Sequence, residues 1–239
     1  MLRSLLTTIV FVLFSLCNSL HAKSIKLTYQ VLHDDSPYGN SELWISAEAT
    51  RFDLNIEAQH DMTEVVLFNE RTSSLYKHDS KQHYVLDDKS YKNRVKKQMN
   101  WKKSDDEFHQ LLLQMEKQSG YPRFLDFEKQ GNVFVAENEG EQLYIVTPVL
   151  GNQYSLTTDE LKLIKHAVVE RKKMALAKMG LIDFLPLDIL YMLSEKPQMM
   201  FSKYTNKMYA LTFKLKSVER MNNTLFLENL PKNYQMSKR

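Results

Sequence analysis

Cysteine and glycine are both scarce in this chain of 239 residues. The only cysteine, Cys17, lies in an N-terminal segment that we expect to be removed, so the mature chain has no thiol for a disulfide framework or a Cys-ligated metal. Its six glycines form no glycine-rich phosphate loop, and the common signatures of nucleotide-binding proteins, zinc proteases and serine hydrolases are missing. These absences predict a protein without a cofactor, stabilised by its hydrophobic core.

A strong net charge is absent too, because the chain contains 32 Lys and Arg residues and 29 Asp and Glu residues. Such a balance does not favour binding to nucleic acid. The local exception is the basic run 92–103, which also contains Met99 and Trp101. Its composition fits a solvated connecting segment or helix face, and it also fits peripheral contact with an anionic membrane surface.

The first residues have the pattern of a secretory signal peptide. Arg3 precedes an apolar run over residues 5–16, and a polar stretch then ends at Ala22. We expect cleavage to remove residues 1–22 and to leave residues 23–239 as a single domain in the periplasm. Lipid attachment at Cys17 is not expected, because a bulky residue, Leu16, precedes it.

Most of the mature chain alternates apolar and polar residues with a period of two, which is typical of half-buried strands. Six such strands are predicted before residue 88, three more between residues 123 and 148, and about three after Pro197. Capping boxes predict helices between the strands. One capping box, Ser104 with Glu107, begins a predicted helix that ends near Gly120. The other, Thr157 with Glu160, begins a predicted helix that ends near Gly180.

The segment 181–193 has ten large apolar side chains in thirteen positions, yet it is too short to cross a bilayer. We expect it to form a buried helix. The predicted fold is therefore α+β: a strongly curved antiparallel sheet, an unclosed β-barrel of about eleven strands, with helices that plug its concave face.

Few residues suggest catalysis or metal binding. Ser74 and Lys77 have the spacing of a serine–lysine pair but lie in a predicted strand, whereas that chemistry needs the serine at a helix start. His78 and His83 flank a turn and lack a third ligand, so we expect neither zinc nor another metal there. Adjacent acidic pairs suit solvation or helix capping better than general acid–base work. The sequence predicts that the protein is not an enzyme.

The stretches "GNSELWISAEATRFDLN" and "EVVLFNERTSSLYKHDSKQHYVLD" resemble the LolA/LolB-type half-barrel superfamily of bacterial envelope proteins. The resemblance is carried by Gly39, Leu43, Trp44, Phe52, Tyr76 and Val85, and near the C-terminus by Phe226 and Pro231. It implies an unclosed β-barrel whose apolar cavity receives the acyl chains of lipoproteins on their way to the outer membrane.

Two functional hypotheses follow. In the first, the protein is a non-catalytic carrier that holds a lipid, a lipoprotein acyl chain or another apolar ligand between sheet and helices. In the second, it is an envelope interaction or structural protein that contacts a protein partner and has no small-molecule ligand. For the first hypothesis the expected lining is Trp44, Phe52, Leu54, Leu185, Leu190, Met192, Met199 and Met200.

Overall fold

A computed structural model describes residues 24–56, 61–118, 127–138, 140–174, 198–221 and 229–237. The strands are β1 (Ser24–His33), β2 (Ser36–Ser46), β3 (Ala49–Ile56), β4 (Met62–Leu67), β5 (Thr72–Lys77), β6 (Gln82–Asp87), β7 (Phe127–Gln130), β8 (Val133–Asn138), β9 (Glu141–Leu150), β10 (Met199–Asn206), β11 (Leu211–Met221) and β12 (Gln235–Ser237). The helices are α1 (Asp88–Gln98), α2 (Asp105–Gln118) and α3 (Thr158–Lys173), and Gly151–Tyr154 forms a 3₁₀ turn.

All twelve strands belong to one curved, unclosed sheet with the order β12-β6-β5-β4-β3-β2-β1-β11-β10-β9-β8-β7. Strands β1 to β6 form a meander on one side of β1, and β11 back to β7 form a second meander on the other side. Neighbouring strands are antiparallel except β12, which pairs in parallel with β6. The pairing of β1 with β11 therefore joins the two halves at the middle of the sheet.

The alternation along each strand separates the sheet into two faces. Leu27 pairs with Leu43, and Leu43 pairs with Phe52, so these residues share a face. We call it the inner face, and the opposite one the outer face. The apolar inner-face side chains and Ile164 and Val168 of α3 belong to one hydrophobic cluster. Helix α3 thus packs against part of the main core on the inner face.

A glycine in β2 permits the close approach of β3. A Cβ atom at Gly39 would lie 2.2 Å from the carbonyl oxygen of Asn55 and 2.7 Å from Cα of Ile56. Both contacts are with backbone, which cannot move aside as a side-chain end can. Only glycine fits this inner-face position without displacing a strand.

Helix α3 begins with the predicted capping box. Thr157 N donates to Glu160 Oε2 at 2.7 Å, and Glu160 N donates to Thr157 Oγ1 at 3.2 Å. The helix ends at Lys173, earlier than the expected Gly180, because the backbone of Met174 is extended. Along its length the helix makes polar contacts with β11, with the β2–β3 turn and with β4.

Helices α1 and α2 form a pair with a small hydrophobic cluster of their own. The predicted capping box of α2 is present, with Ser104 N 3.1 Å from Glu107 Oε2. Helix α1 was not separately predicted; its cap is Asp87, whose Oδ1 accepts from Ser90 N at 2.7 Å. The cluster shared by the two helices contains Phe108, Leu112, Tyr91, Val95 and Trp101.

The α+β class and the large, mostly antiparallel, unclosed sheet agree with the prediction. The sheet has twelve strands rather than about eleven. The predicted signal peptide 1–22 and the predicted buried helix 181–193 lie outside the described residues, as does the expected helix end at Gly120. Within the described ranges, no helix is long and apolar enough to span a membrane.

Candidate ligand site on the inner face

The structure places only some of the predicted lining residues together. Phe52 and Leu54 are buried on the inner face. Met200 is fully buried in the same cluster, and Met199 packs against that cluster while partly exposed. The other expected members Leu185, Leu190 and Met192 lie outside the described residues.

Trp44 lies on the outer face, away from Phe52 and Leu54. It pairs in register with Lys26 on one side and with Arg51 on the other. The ammonium group of Lys26 sits 5.1 Å from the centre of the indole ring, a cation–π contact. The alternation of "SELWISAE" already places Trp44 on the opposite face of the strand from Leu43 and Ile45. Trp44 was expected in the lining of the ligand site, but the structure places it on the other face of the sheet.

A connected group of aromatic rings occupies the part of the inner face formed by β1, β9, β10 and β11. Tyr29 stacks on Phe201 at a centroid distance of 5.6 Å, and Phe201 meets Tyr204 edge-on at 6.2 Å. Tyr204 also stacks on Tyr144 at 5.9 Å and on Phe213 at 5.8 Å. All five side chains have at most 1% of their surface exposed. We call this group the aromatic wall.

The expected lining omitted the aromatic wall. Tyr29 and Phe213 each occur in a clear period-two strand, so alternation placed them on a buried face. Nothing in the sequence, however, indicated that β1 and β10 come close enough for Tyr29 to stack on Phe201. That proximity depends on β11 lying between the two strands.

Three inner-face side chains carry polar atoms that are buried and have no hydrogen-bond partner in the described part of the chain. They are the hydroxyl of Tyr29, the hydroxyl of Ser41 and both amide atoms of Asn206. None of these residues is more than 1% exposed. An unsatisfied buried donor or acceptor costs about 1–3 kcal/mol, so such groups call for water or for a polar group of a ligand.

The environment of Tyr29 keeps its hydroxyl neutral. Burial raises the pKa of Tyr29 far above its ordinary value, and the nearby hydroxyl of Tyr154 raises it further. Burial also raises the pKa of Tyr154. Tyr29 and Ser41 are direct partners in the β1–β2 register, so their two side chains extend from neighbouring positions of the inner face.

One polar cluster on the inner face contains a buried ion pair, and it attaches α3 to the sheet. Arg171 Nη2 lies 2.8 Å from Glu64 Oε2, and both side chains are over nine-tenths buried. Ser73 donates to the other carboxylate oxygen of Glu64 at 3.2 Å. A second ion pair, between Glu160 and Arg220 at 2.6 Å, links α3 to β11. Helix α3 is therefore held to both halves of the sheet.

The outer face, by contrast, carries a continuous chain of hydrogen bonds. Arg51 Nε donates to both carboxylate oxygens of Asp53, at 2.9 and 2.8 Å. Thr63 Oγ1 donates to Asp53 Oδ1 at 2.5 Å and lies 2.9 Å from His78 Nε2. The other ring nitrogen of His78 lies 2.8 Å from the Tyr234 hydroxyl. This chain, which we call the outer-face network, also anchors the segment that contains β12.

A cavity of about 360 Å³ opens on the outer face between the β1–β2 and β10–β11 turns. Lys203, Lys207, Thr205 and Thr212 contribute to its lining, together with the turn residues. The two threonine hydroxyls lie 3.0 Å apart and bind each other. The lining is thus a mixture of polar and apolar groups, since Val133 and Ile145 also contribute to it.

The residues considered for catalysis or metal binding do not converge on a site. His83 stacks on Tyr76 at 4.1 Å, and burial lowers the pKa of His83. His78 belongs to the outer-face network, and both of its ring nitrogens have neighbours there. Across the described residues, no group of three or more His, Asp or Glu side chains could hold a metal ion.

The basic run 92–103 includes most of α1 and the start of the α1–α2 connection. Several of its cations pair with nearby carboxylates: Lys92 with Asp88 at 3.3 Å, and Lys96 with Asp105. Trp101 packs on Phe108 at 5.7 Å. Met99 at the end of α1 remains 44% exposed.

Comparison with known proteins adds little to this geometry. The chain matches no protein-family model, and no curated protein matches it. Among solved structures it is similar to an uncharacterized conserved protein from Thermus thermophilus, with 10% sequence identity, coverage of 93% of each chain and a TM-score of 0.45. A similarity at this level supports no functional argument, so the resemblance to the LolA/LolB type stays a prediction.

Proposed function

We propose that this protein is a non-catalytic binding or carrier protein of the periplasm, which holds an apolar or amphipathic ligand against the inner face of its sheet. A lipid, or the acyl chain of a lipoprotein, is the class of ligand proposed. The ligand lies between the sheet and helices that cover its concave face, as in the LolA/LolB-type half-barrels that the sequence resembles.

The observation that carries this proposal is the composition of the inner face. An apolar protein core built only for stability has no need of polar atoms without partners, and natural cores contain few of them. Here Tyr29, Ser41 and Asn206 place such atoms among aromatic rings. A mostly apolar surface with a few isolated polar groups is typical of sites that bind apolar molecules and orient them.

The first test is the search for a bound molecule. The full chain, purified from its host without denaturant, is extracted with organic solvent, and the extract is analysed by mass spectrometry. We expect a stoichiometric lipid. The protein is then unfolded, freed of lipid and refolded, and we expect it to take up an apolar fluorophore, which added fatty acids or lipids displace. No extracted lipid together with no uptake of the fluorophore contradicts the proposal.

Two substitutions to tryptophan locate the binding site. Phe201→Trp adds bulk within the aromatic wall and should weaken uptake of the fluorophore at least several-fold. Val85→Trp adds the same side chain at a residue of the outer face that is 38% exposed, and it should leave uptake unchanged. Equal effects of both substitutions would place the fluorophore elsewhere.

The complete burial of the aromatic wall also favours the second hypothesis, a solid core in an envelope interaction protein. In that case Phe201→Trp destabilises the fold and no ligand is found. The protein partner would then be sought by cross-linking in intact cells, beginning with the edge strands β7 and β12.

A further inference from the structure

The cavity on the outer face brings charged side chains of both signs together. Its volume of about 360 Å³ is large enough for a small molecule. Lys203 of β10 and Lys207 of the β10–β11 turn supply positive charge, and Asp34 and Asp35 of the β1–β2 turn supply negative charge. Within the described residues, these lysines and aspartates form no ion pair with one another. The charges of the cavity are therefore available to a ligand.

A like-charged pair of lysines lies at the floor of this cavity. Lys203 pairs in register with Lys214 of β11, and both side chains leave the outer face. Like charges at directly opposed positions of neighbouring strands repel each other. Both lysines are half-buried, and neither has an ion-pair partner among the residues that the structure describes. An anion bound beside them would offset the repulsion.

Threonine hydroxyls surround Lys203 on the same face. Thr147 is its register partner in β9, and Thr205 follows it two residues along β10. Thr212 of β11 lies opposite Thr205, with 3.0 Å between the two hydroxyl oxygens. All three threonines contribute to the lining. Ammonium and hydroxyl donors that converge from three strands suit an anion with several oxygen atoms, such as a phosphate group.

The two aspartates favour a ligand that also carries a positive charge. Asp34 and Asp35 are exposed residues of the turn that borders the cavity. A simple phosphate ion gains nothing from their carboxylates. A molecule with an amino group a few bonds from its phosphate complements both sets of charges.

We propose that this cavity binds a zwitterion of the phosphoethanolamine type, either as a free small molecule or as the headgroup of a lipid. Lys203 and Lys214 bind the phosphate together with the threonine hydroxyls. Asp34 and Asp35 bind the ammonium group. The site goes beyond the proposed function, because it lies on the opposite face of the sheet from the apolar ligand and does not require that ligand.

The test is calorimetric titration of the full chain, at low ionic strength, with O-phosphoethanolamine and with inorganic phosphate. We expect O-phosphoethanolamine to bind roughly fivefold more tightly than phosphate, as an additional exposed ion pair predicts. Equal affinities, or no binding of O-phosphoethanolamine, overturn the proposal. Neither result bears on the ligand of the inner face, which is tested by lipid extraction and fluorophore uptake.

Lys203→Met removes the ammonium group and keeps an unbranched side chain. We expect its affinity for both compounds to fall at least about tenfold. Its thermal unfolding without ligand should be no easier, because the repulsion from Lys214 is gone. The matched control is Lys165→Met at an exposed position of α3, which removes the same charge outside the cavity and should leave both affinities unchanged. Equal weakening by the two variants would show that only the overall charge matters, and it overturns the proposal.

The double variant Asp34→Asn with Asp35→Asn tests the binding of the amino group. Both aspartates have a positive φ, 47° and 61°, which asparagine also tolerates, so the turn should be kept. We expect the preference for O-phosphoethanolamine over phosphate to disappear. A preference that persists overturns the assignment of these two carboxylates.

Flotation with lipid vesicles distinguishes the two sources of the ligand. The full chain is mixed with phosphatidylcholine vesicles that either contain or lack phosphatidylethanolamine. Flotation that requires phosphatidylethanolamine and is lost in Lys203→Met identifies a lipid headgroup as the ligand. Binding of O-phosphoethanolamine without flotation identifies a free small molecule.

Discussion

The two faces of the sheet differ in how their polar side chains are paired, although the outer face also has buried atoms without a hydrogen-bond partner in the described residues, Thr28 Oγ1 and His83 Nε2. On the outer face, Asp53, Thr63 and His78 lie in one chain of hydrogen bonds. On the inner face, Ser41 and Asn206 are more deeply buried and have no partner within the described residues. Because a missing partner costs more in a buried site, the inner face is where pairing matters most.

The inner face is also not uniform. Near α3, Glu64 and Arg171 form a buried ion pair, and Ser73 donates a hydrogen bond to Glu64. On β1 and β10, Tyr29 and Asn206 are not satisfied. The region near α3 therefore contains a charged pair, whereas the region of the aromatic wall contains neutral polar groups without hydrogen-bond partners in the described residues. The following predictions test this contrast.

The largest effect is expected for Arg171→Leu. The substitution leaves Glu64 buried without its charged partner, and breaking such a pair costs about 3–5 kcal/mol. Urea denaturation should show the loss. A double variant, Glu64→Leu with Arg171→Leu, should recover most of the stability, because no unpaired charge then remains. If the single variant is as stable as the wild type, the ion pair does not hold α3 to the sheet.

A smaller effect is expected for Thr63→Val in the outer-face network. Valine has the shape of threonine, but it can neither donate to Asp53 nor bind His78. We expect a loss of about 0.5–1.5 kcal/mol in the free energy of unfolding, because two half-buried groups, Asp53 and His78, lose a hydrogen-bond partner. Thermal unfolding measures this loss of stability. The control is Thr72→Val, the same substitution at a less buried threonine at the start of β5. A neutral effect of Thr63→Val would show that the network adds nothing to stability.

The ion pair between α3 and β11 should make stability depend on pH. Burial raises the pKa of Glu160, but Arg220 and the N–H of Thr157 outweigh it, so the net pKa lies below the ordinary value of 4.5. A carboxyl group with a lowered pKa stabilises the fold above its unfolded pKa, and this contribution disappears as the pH falls through the folded value.

Arg220→Ala should therefore reduce the free energy of unfolding at neutral pH by about 1 kcal/mol or less, since Arg220 is partly exposed. The difference from the wild type should shrink as the pH falls below about 4.5. Denaturation midpoints between pH 7 and pH 3 measure it. A difference that stays constant over this range would mean that Arg220 acts through packing and not through the charge of Glu160.

The smallest effect is expected for Ser41→Ala, and it should have the opposite sign to that of Thr63→Val. The Ser41 hydroxyl makes no hydrogen bond within the described residues, so its removal should leave stability unchanged or raise it by up to about 1 kcal/mol. Thermal unfolding of the delipidated protein is the measurement. A clear loss of stability would show that an ordered water or a further contact satisfies this hydroxyl.

Local patterns predicted much of the secondary structure. The capping boxes at Ser104 and Thr157 begin α2 and α3 as expected, because such caps need only neighbouring residues. Helix α1 was missed because its residues are mostly charged and form a helix with few apolar positions. Its stability depends on the contact of buried Asp88 with Arg71 and on packing against α2, both of which are tertiary.

The candidate site was harder to predict for the same reason. Phe52 and Leu54 were found because alternation places them on a buried face. The aromatic wall was missed because its members come from four strands that are distant in the sequence and adjacent only in the sheet. Trp44 was included in the expected lining, although its position in the alternation pointed to the outer face.

By itself, the sequence determined which residues form strands, which side chains share a face of a strand and where α2 and α3 begin, because these depend on periods and caps within a few residues. The tertiary structure alone decided that β1 pairs with β11, and that Tyr29 meets Phe201. It also decided that the hydroxyl of Ser41 and the amide of Asn206 are left without partners in the described part of the chain, while Thr63 is satisfied. Hydrogen bonding between distant strands depends on register, and register is set only when the whole sheet assembles.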